Sequence, residues 1–458
     1  MKRRIFIMKS SAAAAAAGAF GLMNCKPQSK KEETATKVLE ENRKNWAGNY
    51  TYKAEKLQEP NTVEELQDLV KGPGKHKALG SKHCFNNIAD SPMEQISTKN
   101  LNRAIAIDQD ANTVTVEAGI RYGELAPELQ KMGYALHNLA SLPHISIAGA
   151  CATATHGSGV TNGNLPSAVS ALELVTANGG IVRLEREQPN FYGAVVGLGA
   201  LGIIVRMTLD IEKTYGVRQD LFQNLPVSAL QKHFDDIMSS GYSVSLFTDY
   251  QNDTVSQVWV KSRTDRELKD FGSFYGASPA TKNLHPITVM PAENCTEQMG
   301  VEGPWHERLP HFKMGFTPSN GEELQSEYFV GRENAVDAYM ALVALKDKIY
   351  PQLMISEVRA IAADEYWMSP CYKRDCIAFH FTWKQDWDEV QKILPQIEEA
   401  LAPFGVLPHW GKMFTMQPDT LHSRYERMED FLQLANEYDP QGKFRNTFLD
   451  KNLYRTKG

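Results

Sequence analysis

The sequence lacks a long apolar run. Its longest small, apolar stretch, Ser10 to Leu22, is too short to cross a bilayer as a helix. It also lacks an excess of positive charge. Lys and Arg number 49 against 55 Asp and Glu, a net charge of −6, and the basic residues form no block or stripe, so a nucleic-acid-binding face is excluded. Cysteine is scarce, with 6 residues at Cys25, Cys84, Cys151, Cys295, Cys371 and Cys376. None has the paired spacing of a metal site. They read as buried free thiols, with Cys371 and Cys376 the only plausible local bridge. No repeat of 20–50 residues is present. The one zinc-like string, His306-Glu307-Arg308-Leu309-Pro310-His311, is a residue too long for H-E-x-x-H, and Pro310 disfavours the helix that motif needs. No metal is assigned.

What is present is a globular composition, 42% hydrophobic and 23% charged, in a chain long enough for two or three domains. The N-terminus stands apart. Lys2, Arg3 and Arg4 precede the short apolar run, as in a secretory signal. Arg3-Arg4-Ile5-Phe6, with Lys9 after it, resembles a twin-arginine signal, and Leu22-Met23-Asn24-Cys25 resembles a lipoprotein cleavage box except for Asn24. Residues 1–25 are therefore read as a signal peptide and 26–44 as a tether, giving an exported protein, periplasmic or anchored at Cys25.

From Asn45 the chain alternates short helices and strands. Asn61-Thr62 caps a helix from Val63 to Val70 with a capping-box glutamate. His76–Leu79, 105–108, 113–116 and 203–211 read as strands, and Tyr122–Met132 as a helix. Past Thr214 come strands at 243–249, 256–261, 354–360 and 376–383, and helices at 332–349 and 387–402. The proline-bearing stretch 278–318 reads as irregular, and one helix is expected after Leu421. The expected fold is α+β, with a first domain over 45–214, a second over 215–415 and a C-terminal segment, 416–458, returning to the first.

Two tracts carry chemistry. Gly80-Ser81-Lys82-His83-Cys84-Phe85 presents a histidine from a small-residue turn, which alone reads as an ordinary surface loop. Within the tract His137 to Gly159, the run from Ser141 is mostly small or hydroxylic around Ser141, Ser146, Gly149, Thr153, Ala154, Thr155 and His156. Small residues let backbone amides approach an anion, and hydroxyls add donors, so the run suits a pyrophosphate. A tightly packed small-residue helix and turn is the alternative. Gly197-Leu198-Gly199-Ala200-Leu201-Gly202 matches G-x-G-x-x-G but follows a helical segment and precedes a strand, the reverse of a dinucleotide site. Further on, Glu357 and Arg359 sit two apart on one strand, as do His380 and Thr382, so each pair shares a face. A surface cross-strand ion pair is the plainer reading of Glu357 and Arg359. Lys412 follows in a Trp410-Gly411-Lys412 turn.

Together these tracts resemble the FAD-binding fold of the vanillyl-alcohol-oxidase family, and most closely its bacterial alditol oxidases. The resemblance runs from Asn45 to Phe444 through Asn45–Asn49, Ala140–Ser146, Thr155–Gly159, Cys295–Gln298, Trp305–Phe312 and His409–Lys412. It implies a two-domain FAD-binding fold with an α+β substrate domain, and FAD covalently linked through His83. It also implies FAD contacts from Ala78, Leu79, Gly80, Ser81, Lys82, His83, Cys84, Ser141, Ser146, Gly149, Thr153, Ala154, Thr155, His156 and the Ile204 backbone. Lys82 stands where the family has glycine and Cys84 where it has serine. A positive φ at Lys82 would strain the loop. Ser141, Glu357, Arg359, Thr382 and Lys412 match polyol-contacting residues, and His380, Lys412 and Arg359 are the expected catalytic set. The implied activity is oxidation of the terminal hydroxyl of alditols such as xylitol and sorbitol to aldoses, with dioxygen reduced to hydrogen peroxide, by a monomer. A sugar-lactone or polyol dehydrogenase of the same fold, or an exported carbohydrate-binding lipoprotein, are the alternatives.

Overall fold

The computed structural model describes residues 43–316 and 323–455, with the backbone of Arg4–Phe6. Apart from those three residues, the expected signal peptide, Cys25 and the tether up to residue 42 lie outside the described residues.

The helix Val63–Lys71 begins as its sequence dictates. The Thr62 side chain accepts from the Glu65 amide at 3.1 Å. The capping glutamate differs from expectation, because Glu65 accepts from the Asn61 amide at 2.7 Å and not from Thr62. Three parallel strands follow in the order Lys56–Gln58, Glu94–Ser97, His76–Leu79. Beside them an antiparallel sheet runs in the order Arg4–Phe6, Ala104–Asp108, Thr113–Glu117, Ile203–Asp210, Val169–Val175, Ile181–Glu185. Alternation along Ile203–Asp210 is strict: Ile203, Val205, Met207 and Leu209 are buried and their neighbours are half-buried. That pattern is a strand with one face on the core.

The second sheet is larger. Its main path is Ser278–Pro279, Gly216–Pro226, Thr254–Arg263, Ser243–Thr248, Leu353–Ile361, Cys376–Lys384, Glu323–Gly331, Leu407–Pro408, again antiparallel. Gly216–Pro226, the helix Val227–Met238 and the strand Glu323–Gly331 were not expected. The expected single helix over 332–349 is a 3-10 turn followed by Ala335–Ala344 and Lys346–Ile349. The expected single C-terminal helix is three: Pro418–Arg424, Met428–Tyr438 and Thr447–Asn452.

The C-terminal stretch closes on the first sheet region. Phe444 is fully buried among Val63, Leu66, Val70 and Ile96. The His76 amide donates to the Lys443 carbonyl at 2.9 Å. The Lys443 ammonium caps three carbonyls, of Val70, Gly72 and Ala177, at 2.6, 3.0 and 3.1 Å. Lys77, the next residue of the His76–Leu79 strand, is buried. Its ammonium reaches the carbonyls of Leu198, Gly199 and Phe444 at 3.1, 2.9 and 3.4 Å.

Candidate active site

The His76–Leu79 strand delivers the chain into the Gly80–Cys84 loop. Lys82 has φ +62°, the left-handed conformation anticipated for a position that prefers glycine. The loop is pinned to the small-residue tract by a reciprocal pair: the Ser81 amide donates to Ser146 Oγ at 3.3 Å, and the Ser146 amide donates to Ser81 Oγ at 3.1 Å. A Cβ on Gly80 would lie 2.5 Å from Ser146 Oγ, and one on Gly149 would lie 2.8 Å from it, so a side chain at either would push that hydroxyl off the Ser81 amide. The tract forms the expected packed helix, Ile147–Ala152, and also faces the loop, so the two readings of it are compatible. His83 packs against Trp46, with ring centroids 4.5 Å apart, and its Nδ1 lies 3.2 Å from His144 Nε2. Burial, His144 and Lys412 hold the His83 pKa well below its usual value.

These residues line a cavity of about 470 Å³. Every cofactor residue expected from the sequence lines it except Ala154, which is buried and turns the chain at φ +55°. The amides of His83 and Cys84, both on the cavity wall, donate to no acceptor among the described residues. Free amides, hydroxyls and glycines without room for a Cβ are the donor set a pyrophosphate needs. The residues therefore fit FAD. The Gly197–Gly202 loop lies between the helix Phe191–Ala194 and the strand Ile203–Asp210, so it is no dinucleotide fingerprint. Leu198, Gly199 and Gly202 nevertheless line the same cavity.

The opposite wall comes from three neighbouring strands of the large sheet. Glu357 is paired with His380, and His380 with Glu327, in one cross-strand row. Thr382 is paired with Gln325 in the next row. Because side chains two apart share a face, Glu357, Arg359, His380, Thr382, Gln325 and Glu327 converge on one space. Gly159 is bonded to the Ala360 carbonyl at 2.8 Å, which brings the tract carrying His156 against the same strand. The turn with Lys412 is tied to the flavin-type loop. The Phe85 amide donates to the Gly411 carbonyl at 2.8 Å, and Asn86 Nδ2 donates to the Trp410 and Lys412 carbonyls at 2.8 and 2.7 Å.

Glu327 is the centre of the charge pattern. Its carboxylate, 1% exposed, takes Arg359 Nη2 at 2.6 Å, Lys412 Nζ at 2.8 Å and His156 Nε2 at 3.1 Å. Burial works to raise its pKa, but Lys412, His156 and Arg359 overcome that and hold it well below the carboxylate range. Glu357 behaves alike: burial opposes, and Arg359, His311 and His380 prevail. His311 Nε2 donates to Glu357 Oε1 at 2.7 Å. Arg359 Nη1 reaches Ser141 Oγ at 3.5 Å. Two carboxylates thus face two cations, and the cluster is neutral overall.

His380 supplies a base. Gln325 Nε2 donates to Glu323 Oε1 at 2.5 Å, which turns Gln325 Oε1 toward His380 Nε2 at 3.1 Å. His380 is then protonated at Nε2 and bare at Nδ1. Burial and Lys412 keep its pKa well below 6.5, so the ring is neutral at pH 7.

All of Ser141, Glu357, Arg359, His380, Thr382 and Lys412 line this one cavity, and the Glu357–Arg359 pair is no surface ion pair, both being 5% exposed. Sequence reasoning missed Glu327, Gln325, His409, His311 and Lys261. The first two were accessible to the same spacing argument, since Glu323, Gln325 and Glu327 alternate as the other pairs do. Cys84, Cys151, Cys295, Cys371 and Cys376 are free thiols, as expected. Among the described residues no cluster could hold a metal ion.

Comparisons with known proteins agree with this geometry. Residues 54–185 match the family described as FAD binding domain, and residues 319–452 match that of D-arabinono-1,4-lactone oxidase. An alditol oxidase from a Streptomyces species is 50% identical over 408 residues, covering 88% of this chain and 97% of that protein. An L-gulono-1,4-lactone dehydrogenase from Mycobacterium tuberculosis is 28% identical over 430 residues, 89% of this chain and 98% of that one. Among solved structures, a solvent-stable cholesterol oxidase superposes with a TM-score of 0.73 at 16% identity, over 89% of this chain and 96% of that one, which speaks for the fold.

Proposed function

Since the chain belongs to the alditol oxidases, FAD-dependent members of the vanillyl-alcohol-oxidase-type family, we propose that it oxidises the terminal hydroxyl of alditols such as xylitol and sorbitol to the aldose, with dioxygen reduced to hydrogen peroxide. The observation that carries this reading is the neutral row Glu357–His380–Glu327 with its ion partners Arg359 and Lys412, facing the flavin-type loop across one cavity. A neutral polyol offers a hydroxyl on each carbon. Carboxylates accept from such hydroxyls and cations donate to them, and a site built this way rejects deoxy analogues.

Ala78–Cys84, Ser141, Ser146, Gly149, Thr153, Thr155, His156 and the Ile204 backbone would hold the cofactor, with His83 as its covalent attachment point. Bound FAD supplies the two-electron acceptor. His380 Nδ1 takes the proton of the reacting hydroxyl as general base. Arg359 and Lys412 stabilise the developing alkoxide. Ser141, Glu357 and Thr382 orient the remaining hydroxyls.

The same proposal takes the protein out of the cytoplasm as a monomer through a twin-arginine signal at Arg3–Phe6, whose Arg4–Phe6 edge strand belongs only to the unprocessed chain, with Cys25 as a lipid acceptor. Replacing Arg3 and Arg4 by lysine and fractionating cells tests export, and labelled palmitate tests Cys25.

The activity test is peroxide release under air with xylitol, sorbitol and glycerol. Dye reduction without peroxide would make the protein a dehydrogenase. An intact flavin spectrum that no polyol bleaches would refute the reading. Acid precipitation tests His83: flavin left in the supernatant means no covalent bond.

A further inference from the structure

One buried cation has no part in the mechanism above. Lys261 is 0% exposed, in the strand Thr254–Arg263, and among the described residues it forms no salt bridge. Its ammonium meets three acceptors instead: the Leu309 carbonyl at 2.5 Å, the Pro310 carbonyl at 3.2 Å and His311 Nδ1 at 3.1 Å. An ammonium has three N–H bonds, so all of them are used. His311 is held between Phe247 and Trp259, with ring centroids 5.4 and 5.2 Å away. Its amide donates to the Ser141 carbonyl at 3.2 Å, and its own carbonyl accepts from the Thr296 amide at 2.9 Å. The backbone is thereby fixed, and the ring is held by the polar partners on its two nitrogens. Nδ1 is occupied by Lys261, and Nε2–H is the only donor left for Glu357 Oε1, 2.7 Å away.

We infer that Lys261 and His311 are positioning residues for substrate binding: Lys261 fixes the tautomer of His311, and His311 fixes Glu357 as a carboxylate with one oxygen committed and the other turned toward Arg359 and the cavity. This rests on the polyol reading of the site. It also gives a task to Cys295–Gln298 and Trp305–Phe312, whose Thr296 and Leu309–His311 build the clamp. The groups facing the relay are Lys261, His311, Glu357, Arg359 and His380, with the Cys295 thiol beside Lys261. Without the Lys261 proton, His311 is free to carry its hydrogen on Nδ1, and a bare Nε2 then faces the Glu357 carboxylate.

Glutamine can place an amide donor where Nε2 sits, and asparagine cannot reach it. The flavin-loaded variants His311→Gln, His311→Asn and Lys261→Met are compared with wild type at pH 6, below the value of about 7 to which burial lowers Lys261, in steady-state turnover of xylitol and in anaerobic flavin reduction at saturating xylitol. Losing one charged hydrogen bond to a binding carboxylate should raise KM about ten-fold or more while the saturated rate stays within about three-fold. His311→Asn and Lys261→Met should show that split, and His311→Gln should keep a KM within about three-fold of wild type. Equal impairment of Gln and Asn variants, or an unchanged KM in Lys261→Met, overturns the relay. So does loss of flavin from both His311 variants, because positioning Glu357 leaves the cofactor cradle intact. Should Lys261→Met alone lose flavin, the His311 pair decides. A wild type inert toward xylitol and other polyols refutes the oxidase reading and the relay with it, and the wild-type control separates that outcome from the others.

Discussion

Replacing Glu327 by glutamine keeps the shape of the site and removes the charge at its centre. Arg359 and Lys412 approach its two oxygens at 2.6 and 2.8 Å, with charge centres roughly 4 Å apart, so each attraction is about 4 kcal/mol at an effective dielectric of 20. Desolvation of the carboxylate removes several kcal/mol of that gain. The cations stay behind when the charge goes, and Glu357, 3.7 Å from Arg359 Nε, is their remaining partner. Removing one member of such a buried set costs about 3–5 kcal/mol. The sign of the pH dependence follows from the shift. Glu327 is held well below its unfolded pKa, so its contribution is complete above about 4.3 and is lost only as pH falls through the folded value. Glutamine does not titrate. The stability gap between wild type and Glu327→Gln, read from urea unfolding, should be full at pH 6, narrow toward pH 9 as the unpaired Lys412 sheds its proton in the variant, and close in strong acid. A gap under about 1 kcal/mol at pH 6, or one that widens below about pH 4, would refute Glu327 as the charge centre. kcat/KM for xylitol should fall about 100-fold or more, since Lys412 loses the partner that keeps it protonated.

Three further outcomes follow from the same geometry. His380→Asn should lower the rate of flavin reduction about 100-fold to 10,000-fold, and the wild-type rate should show no acid limb near 6.5, because burial keeps the ring neutral well below that value. Thermal stability should fall as pH drops from about 6.5 toward 4: His144 and His311 are lowered to about 4 and His409 to about 3 by burial, so the unfolded chain binds protons first. Lys82→Gly should change stability by less than about 1 kcal/mol, because relief at φ +62° is offset by a more flexible unfolded chain, whereas Lys82→Val should cost about 2 kcal/mol.

What the sequence made legible was local. A period of two reveals that Glu357 and Arg359, or His380 and Thr382, share a face, and a glycine-type turn announces the conformation of Lys82. The cross-strand row was hidden, because register is set by partners far apart in sequence: Glu357 meets His380 across a loop, and Glu327 meets His380 over fifty residues away. Glu327 also follows a long irregular stretch that masks the start of its strand. His311 was set aside with a zinc-like string, since nothing nearby in sequence shows that Lys261 occupies its Nδ1. Lys77 carries no local signal of burial. Its burial depends on carbonyls of Leu198, Gly199 and Phe444, which only the folded chain brings together.

The return of Lys443 and Phe444 to the His76–Leu79 strand has a temporal meaning. The strand that leads into His83 is synthesised early, yet its His76 amide and one of the three contacts of its Lys77 ammonium find partners 367 residues later. The cofactor cradle cannot be finished before Phe444 is made, and a chain stopped short of Phe444 should fail first as a flavin holder, with its polyol-facing strands already made.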